Sequence, residues 1–282
     1  MLNAEQIKQC VAWACEKEVS APKPGNVNCF SDGHNMDLED FIKSAHAIAH
    51  SLSQPDLTVG QMILQAIKAT RTVVDCNTNL GIVLLFAPLC KAIQRCEKIE
   101  QLPIELEKVL NHLSIQDAID CYQAIRLAEA GGLGTSEQQD INNEPTITLK
   151  EAMFLAKDYD SIAAQYINNY QEIWQIGLSN LTSSIKCGES VVWASAFAYL
   201  NLLSALPDTL ICRKQGLKCA QEIQVQANEL ILFSLENSKL SSMESQIISW
   251  DNELKQRAIN PGTTADLTAT TLLVYAFEQA LS

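Results

Sequence analysis

Basic residues are scarce in this chain and nowhere clustered: 20 Lys and Arg stand against 33 Asp and Glu in 282 residues, a formal net charge of −13. Binding to a phosphate backbone draws on runs of cations, so the shortage argues against a nucleic-acid partner. An anionic small ligand stays open, because a few local cations or a bound metal ion reverse the field inside a cleft of an acidic protein. Sustained two-residue alternation of apolar and polar side chains is nearly absent, which removes strands as the main building element. The 10 cysteines, at 10, 15, 29, 76, 90, 96, 121, 187, 212 and 219, form no Cys-x-x-Cys pair. They read as reduced thiols behaving as small hydrophobes in a cytoplasmic protein. The opening segment, MLNAEQIKQCVAWACEKE, is charged throughout and lacks the apolar core of a signal peptide. A charge-free stretch at 190–207 contains Ser190, Ser195, Asn201 and Ser204, and it falls short of the roughly 20 apolar residues that a membrane span requires. No membrane is expected, and the stretch reads as the central helix of a bundle, buried nearly all round.

What is present is a globular composition, 47% hydrophobic and 19% charged. A chain of 31.1 kDa hides about three quarters of its extended surface on folding, so no disulfide or structural metal is needed to hold it. Apolar residues recur at three- and four-residue spacing. The pattern predicts helices over about 3–19, 38–53, 59–74, 80–98, 104–112, 115–129, 148–156, 159–180, 188–205, 210–236, 239–257 and 265–280. Pro22, Pro24 and Gly25 end the first, Pro55 the second, and Pro103 separates the fourth from the fifth. One all-α domain over 1–282 is the expectation. The irregular piece 130–147 is long for a compact domain and reads as a functional loop or as a linker between helical halves.

Familiar motifs fail in instructive ways. His46 and His50 have the spacing of two metal ligands on a helix, yet Ala47 stands where a zinc protease needs its Glu. Ser20-Ala-Pro-Lys23 and Ser183-Ser-Ile-Lys186 match Ser-x-x-Lys without the companion motifs of a serine nucleophile. Gly131-Gly-Leu-Gly134 does not extend to a dinucleotide fingerprint, and no phosphate-binding loop sequence of the Walker type occurs.

Four segments place polar groups beside helix ends. In Ala21-Pro-Lys-Pro-Gly-Asn-Val27 two prolines stiffen the chain around Lys23, and Gly25 lets backbone amides approach a ligand closely; His34, Asp37, Glu39 and Asp40 follow. A rigid lysine suits a phosphate, while an interhelical turn with Asp37 as the next N-cap explains the same residues. Asp75-Cys-Asn-Thr-Asn79 puts Asn77, Thr78 and Asn79 before an apolar helix, where free N–H groups favour an anion; one of the three suffices as a cap. In the segment 207–214, Asp208 reads as a cap, and Arg213 with Lys214 reads either as an oligophosphate clamp or as a solvated helix side. In Asn260-Pro-Gly-Thr-Thr-Ala-Asp266, Thr263 and Asp266 have capping-box spacing, and Asp266 is a conditional Mg²⁺ ligand.

In this order the four segments resemble the triphosphoribosyl-dephospho-CoA synthase family, which prepares the prosthetic group of citrate lyase and malonate decarboxylase. The resemblance rests on Pro22-Lys-Pro-Gly25 with Asp37, Asn77-Thr-Asn79 before Gly81, Asp208-Thr209 with Arg213, and Pro261-Gly262 with Ala265-Asp266-Leu267. It implies an all-α fold and a reaction between ATP and 3′-dephospho-CoA that releases adenine and leaves a triphosphoribosyl group on the acceptor ribose. It further implies cations around the triphosphate (Lys23, Arg213 and Lys214, beside Gly25, Asn26, Asn77, Thr78, Asn79 and Thr263). Mg²⁺ would be held by Asp37, Asp208 or Asp266, one of which doubles as the base.

The chain departs from the family where Asn-Thr-His-Lys-Gly becomes Asn77-Thr-Asn79-Leu80-Gly81, losing a cation, and where Gly-Gly-Ser-Ala-Asp becomes Gly262-Thr-Thr-Ala-Asp266. The stretch with Glu137, Asp140, Asp158-Tyr-Asp160 and Ala164-Gln-Tyr166 is similar to relatives in archaea and one-carbon-metabolising bacteria. That admits ribosyl or phosphoribosyl transfer in the making of a pterin- or furan-type cofactor. Asp37-x-x-Asp40 and Asp117-x-x-Asp120 admit an all-α Mg²⁺-dependent nucleotide pyrophosphohydrolase, and a non-catalytic helical interaction module is the remaining class. Helical bundles with apolar faces commonly pair, so a homodimer is compatible with the sequence.

Overall fold

The computed structural model describes residues 1–30, 38–129, 139–236 and 239–282. The fold is all-α, with fourteen α-helices and no strand among the described residues. They are α1 Ala4–Ser20, α2 Leu38–Leu52, α3 Val59–Val73, α4 Leu80–Ile93, α5 Leu102–Asn111, α6 Ile115–Ala128, α7 Leu149–Ala156, α8 Ser161–Asn168, α9 Ser179–Lys186, α10 Val191–Ala205, α11 Thr209–Gln215, α12 Leu217–Glu236, α13 Glu244–Gln256 and α14 Gly262–Leu281. No single described helix is long and apolar enough to cross a membrane.

Two expected helices are divided. The one at 159–180 breaks at Asn169 and Tyr170, both left-handed, with φ of 57° and 61°, and resumes as a π-helical turn, Ile173–Leu178, leading into α9. The one at 210–236 breaks at Gly216, whose φ of 90° suits a residue without Cβ. Of the irregular piece, 130–138 lies outside the described residues, including Gly131-Gly-Leu-Gly134 and Glu137.

The chain divides into two compact units. The first comprises 1–15, 40–170 and 273–282. Here α4 is buried at every position except Lys91, and it contains Pro88, which removes an N–H and displaces the carbonyl four residues earlier. That carbonyl, of Leu84, accepts instead from the Tyr166 hydroxyl at 2.6 Å, and the Leu85 carbonyl accepts from Tyr170 at 2.9 Å. The carbonyl that the proline leaves without its helical partner is thus satisfied by a buried phenol, with a second phenol on its neighbour. Helices α3 and α6 touch backbone to backbone: a Cβ on Gly60 would lie 2.5 Å from Cα of Asp117. The Asp117 carboxylate accepts from the Gly60 N–H at 2.8 Å and from the Ser114 N–H and hydroxyl, at 2.8 and 2.6 Å. Segment 139–147 is tied to α6 through Tyr122 and Arg126, which donate to the carbonyls of Gln139 and Ile141.

The second unit comprises 16–39 and 171–272. Its core is built from Ala196, Tyr199, Leu200 and Leu203 of α10, Ala220, Ile223, Ala227 and Ile231 of α12, and Ile247 and Leu254 of α13. As the sequence suggests, α10 is buried on almost all sides, with Ala205 its one exposed residue. All ten cysteines are thiols, and Cys10, Cys15, Cys90, Cys96 and Cys121 are buried. Burial pushes the thiols of Cys10 and Cys96 up to about 11 and that of Cys121 up to about 12, which makes them inert packing groups.

Candidate active site

Three of the four polar segments meet in the second unit. The first, 21–28, is buried at every residue, although a loop ordinarily runs over the surface. Its backbone groups are therefore matched by side chains from far along the chain. The Pro24 carbonyl accepts from Tyr199 of α10 at 2.8 Å, and the Gly25 N–H donates to the Asp251 carboxylate of α13 at 2.8 Å. Gly25 has φ of 84°, and a Cβ there would lie 2.8 Å from Pro261 Cδ, so glycine is required twice over. Asn26 donates to the Asn260 side chain at 2.8 Å. Asn28 donates to the carbonyls of Lys23 and Asn26 and to Asp251, whose other oxygen accepts from Lys255.

Lys23 faces inward. Its side chain is 0% exposed, 3.0 Å from the Glu18 carboxylate at the end of α1, and it donates to the Val27 carbonyl at 2.6 Å. Burial pushes the Glu18 carboxyl above its ordinary range, while the adjacent Lys23 amine pulls it back. In this structure the lysine binds the loop to its own helix.

The third and fourth segments join through one carboxylate. Asp208, 2% exposed, accepts on one oxygen from the N–H groups of Leu210 and Ile211 at 2.9 and 3.0 Å, capping α11. On the other it accepts from the N–H and hydroxyl of Thr264 at 2.7 and 2.8 Å. Burial pushes its carboxyl upward, and these donors oppose the push. The Thr209 hydroxyl donates to Thr263 at 3.1 Å, and Gly262 admits Leu210, whose Cδ2 would lie 2.6 Å from a Cβ there. The capping box expected of Thr263 and Asp266 does not form: α14 starts at Gly262, which puts Thr263 inside the helix. A donor of its first turn is satisfied from another helix. Asp266 lies on that turn, partly exposed; Arg213 is half-buried and Lys214 exposed in the last turn of α11.

The second segment belongs to the first unit. Asn77 accepts from the Leu80 N–H at the start of α4, Thr78 shares a 2.6 Å hydrogen bond with Ser44, and the Asn79 side chain is paired with Thr70. Asp37 and His34 lie outside the described residues. No group of three or more His, Cys, Asp or Glu among the described residues is arranged to hold a metal ion. Residues that sequence reasoning missed are Asp251, Asn28, Glu18 and Tyr199. Asp251 and Lys255 look in the sequence like an ordinary surface pair four apart, and nothing local marks Asp251 as buried.

The structure defines the class: an all-α protein in which one buried carboxylate joins the starts of two helices, one of them carrying two adjacent cations. The family described as CitG, ATP:dephospho-CoA triphosphoribosyl transferase, matches residues 4–282, and the chain belongs to that family. Among its relatives is the probable 2-(5''-triphosphoribosyl)-3'-dephosphocoenzyme-A synthase of Streptococcus mutans, 23% identical with 92% of each chain covered. Another is the 2-(5''-triphosphoribosyl)-3'-dephosphocoenzyme-A synthase of Pectobacterium atrosepticum, 24% identical over 96% of this chain and 89% of the relative. A crystal structure from Archaeoglobus fulgidus, provisionally described as a triphosphoribosyl-dephospho-CoA synthase, superposes with a TM-score of 0.64. It is 21% identical and covers 86% of this chain and 98% of that one, a likeness of fold.

Proposed function

We propose that this transferase moves the 5-triphosphoribosyl group of ATP onto the 2′-hydroxyl of 3′-dephospho-CoA and releases adenine. The observation that carries this reading is the family match over residues 4–282, with three of the motif segments gathered about Asp208 and Asp251 in one unit. Transfer to a pterin- or furan-type precursor and pyrophosphate release gain nothing from the comparisons. Asp117 of the second reading is a helix clamp.

In the reaction the acceptor 2′ oxygen bonds to C1′ of the ATP ribose and the C1′–N9 bond breaks. Adenine leaves with that electron pair and takes up a proton, and the proton of the 2′-hydroxyl passes to a base. Positive charge gathers on the ribose as the bond to adenine weakens, and a nearby carboxylate stabilises it. Asp266, partly exposed on the first turn of α14, is the carboxylate assigned to the proton. Arg213 and Lys214 hold the triphosphate, the guanidinium by paired hydrogen bonds and the ammonium as a point charge. Mg²⁺ would enter on the ATP phosphates, an ion that keeps most of its waters and needs few protein ligands.

The test is direct. Purified protein is incubated with ATP, Mg²⁺ and dephospho-CoA, and products are separated by chromatography and weighed by mass spectrometry. Free adenine should appear in step with a triphosphoribosylated dephospho-CoA. Phosphate or pyrophosphate released without adenine would refute the assignment.

A further inference from the structure

We propose that Asp208 is a positioning residue for this reaction: it holds the cation pair Arg213 and Lys214 in register with Asp266, and takes neither a proton nor a metal ion itself. The inference rests on the transfer reaction assigned above. An ionised carboxylate offers about four acceptor positions. At Asp208 all are engaged, by Leu210 N–H, Ile211 N–H, Thr264 N–H and the Thr264 hydroxyl, at 2.7 to 3.0 Å. A base must present an open lone pair to the hydroxyl it deprotonates, and a metal ligand must turn one toward the ion. Here either role would first break hydrogen bonds inside a site that is 2% exposed, where lost donors go unsatisfied.

The same four bonds supply what the reaction needs from geometry. The oxygen facing Leu210 and Ile211 fixes the first turn of α11, whose last turn carries Arg213 and Lys214. The oxygen facing Thr264 fixes the first turn of α14, which carries Asp266 two residues further on. The Thr209–Thr263 hydrogen bond and the close seat of Leu210 on Gly262 lock the two starts together beside it. Cations and carboxylate are thereby mounted on one rigid corner, as a polyphosphate clamp next to a proton acceptor requires.

Three substitutions decide the matter. Thr264→Val removes only the hydroxyl donor, Thr264→Ser keeps it, and Asp208→Asn turns one acceptor pair into donors. Thr264→Val should raise both the KM for ATP and the ATP dissociation constant from calorimetry about tenfold, with kcat lowered less than about threefold, while Thr264→Ser behaves as wild type. Asp208→Asn should weaken ATP binding at least as much, and adding Thr264→Val to it should change little, since both break one contact. Unchanged ATP affinity in Thr264→Val and Asp208→Asn overturns the proposal. So does a fall in kcat of about 10²-fold or more at unchanged ATP affinity in Asp208→Asn, the signature of a base. If Asp208→Asn does not fold, the two Thr264 variants decide alone. A wild-type protein that releases no adenine fails the transfer reaction itself, and the ATP affinities of the variants still read on Asp208.

Discussion

The start of α4 in the first unit and the joined starts of α11 and α14 in the second are built from the same kinds of residue and reach opposite electrostatic ends. Before α4, Asn77, Thr78 and Asn79 engage the Leu80 N–H, Ser44 and Thr70, all neutral groups. At α11 and α14 one buried carboxylate serves two helices, and Arg213, Lys214 and Asp266 stand within a turn or two of it. Neutral pairs satisfy polar atoms and leave little field behind. A shared carboxylate with charges on both helices leaves a larger one. Leu80 stands at the start of α4 and no cation occurs in the segment 75–79, so the second unit carries the cations of the motif segments.

The contrast can be broken or sharpened by substitution. Asp266→Asn should lower kcat by about 10²- to 10⁴-fold, the usual range for a lost general base, read by adenine release. Next in size is Lys23→Met, which leaves the Glu18 carboxylate buried without its partner and should cost about 3–5 kcal/mol of stability in urea unfolding. An unchanged urea midpoint with weakened ATP binding would instead make Lys23 a phosphate ligand. Thr70→Val removes the buried partner of Asn79 and should lower stability by about 1–3 kcal/mol, measured by thermal melting.

The smallest effect concerns pH. Burial pushes the Asp117 carboxyl up, but donors from Ser114, Gly60 and Thr58 outweigh it and hold the group below its ordinary value. A depressed carboxyl contributes stability above its unfolded pKa and loses it as pH falls through the native one. Unfolding free energy should therefore decline on acidification below about pH 4, and Asp117→Asn should flatten that decline.

Much of the helical framework is legible in the sequence, because three- and four-residue spacing reports local geometry. The break at Asn169 and Tyr170 is not, since the left-handed turn there accompanies a Tyr170 hydroxyl carried to the Leu85 carbonyl. That carbonyl lies in a helix 85 positions upstream of Tyr170. Of the site, the motif segments and their order can be read, and so can Asp208 as a cap. The second helix that Asp208 caps cannot, nor can the inward turn of Lys23, a residue whose rigid surroundings suggest an outward cation. The supposed capping box of Thr263 and Asp266 shows the hazard: its spacing is correct, yet a carboxylate 56 positions upstream takes the Thr264 N–H.

By itself the sequence determined the all-helical class, the sparse and local placement of positive charge, and membership in a family of transferases. Only the tertiary structure decided which polar groups are consumed in holding the scaffold and which remain partly exposed. The physical reason is reach. Periodicity and capping act over a few residues, whereas the bonds from Gly25 to Asp251 and from Thr264 to Asp208 span 226 and 56 positions. A buried donor pairs with whichever acceptor the fold brings within 3 Å or so of it.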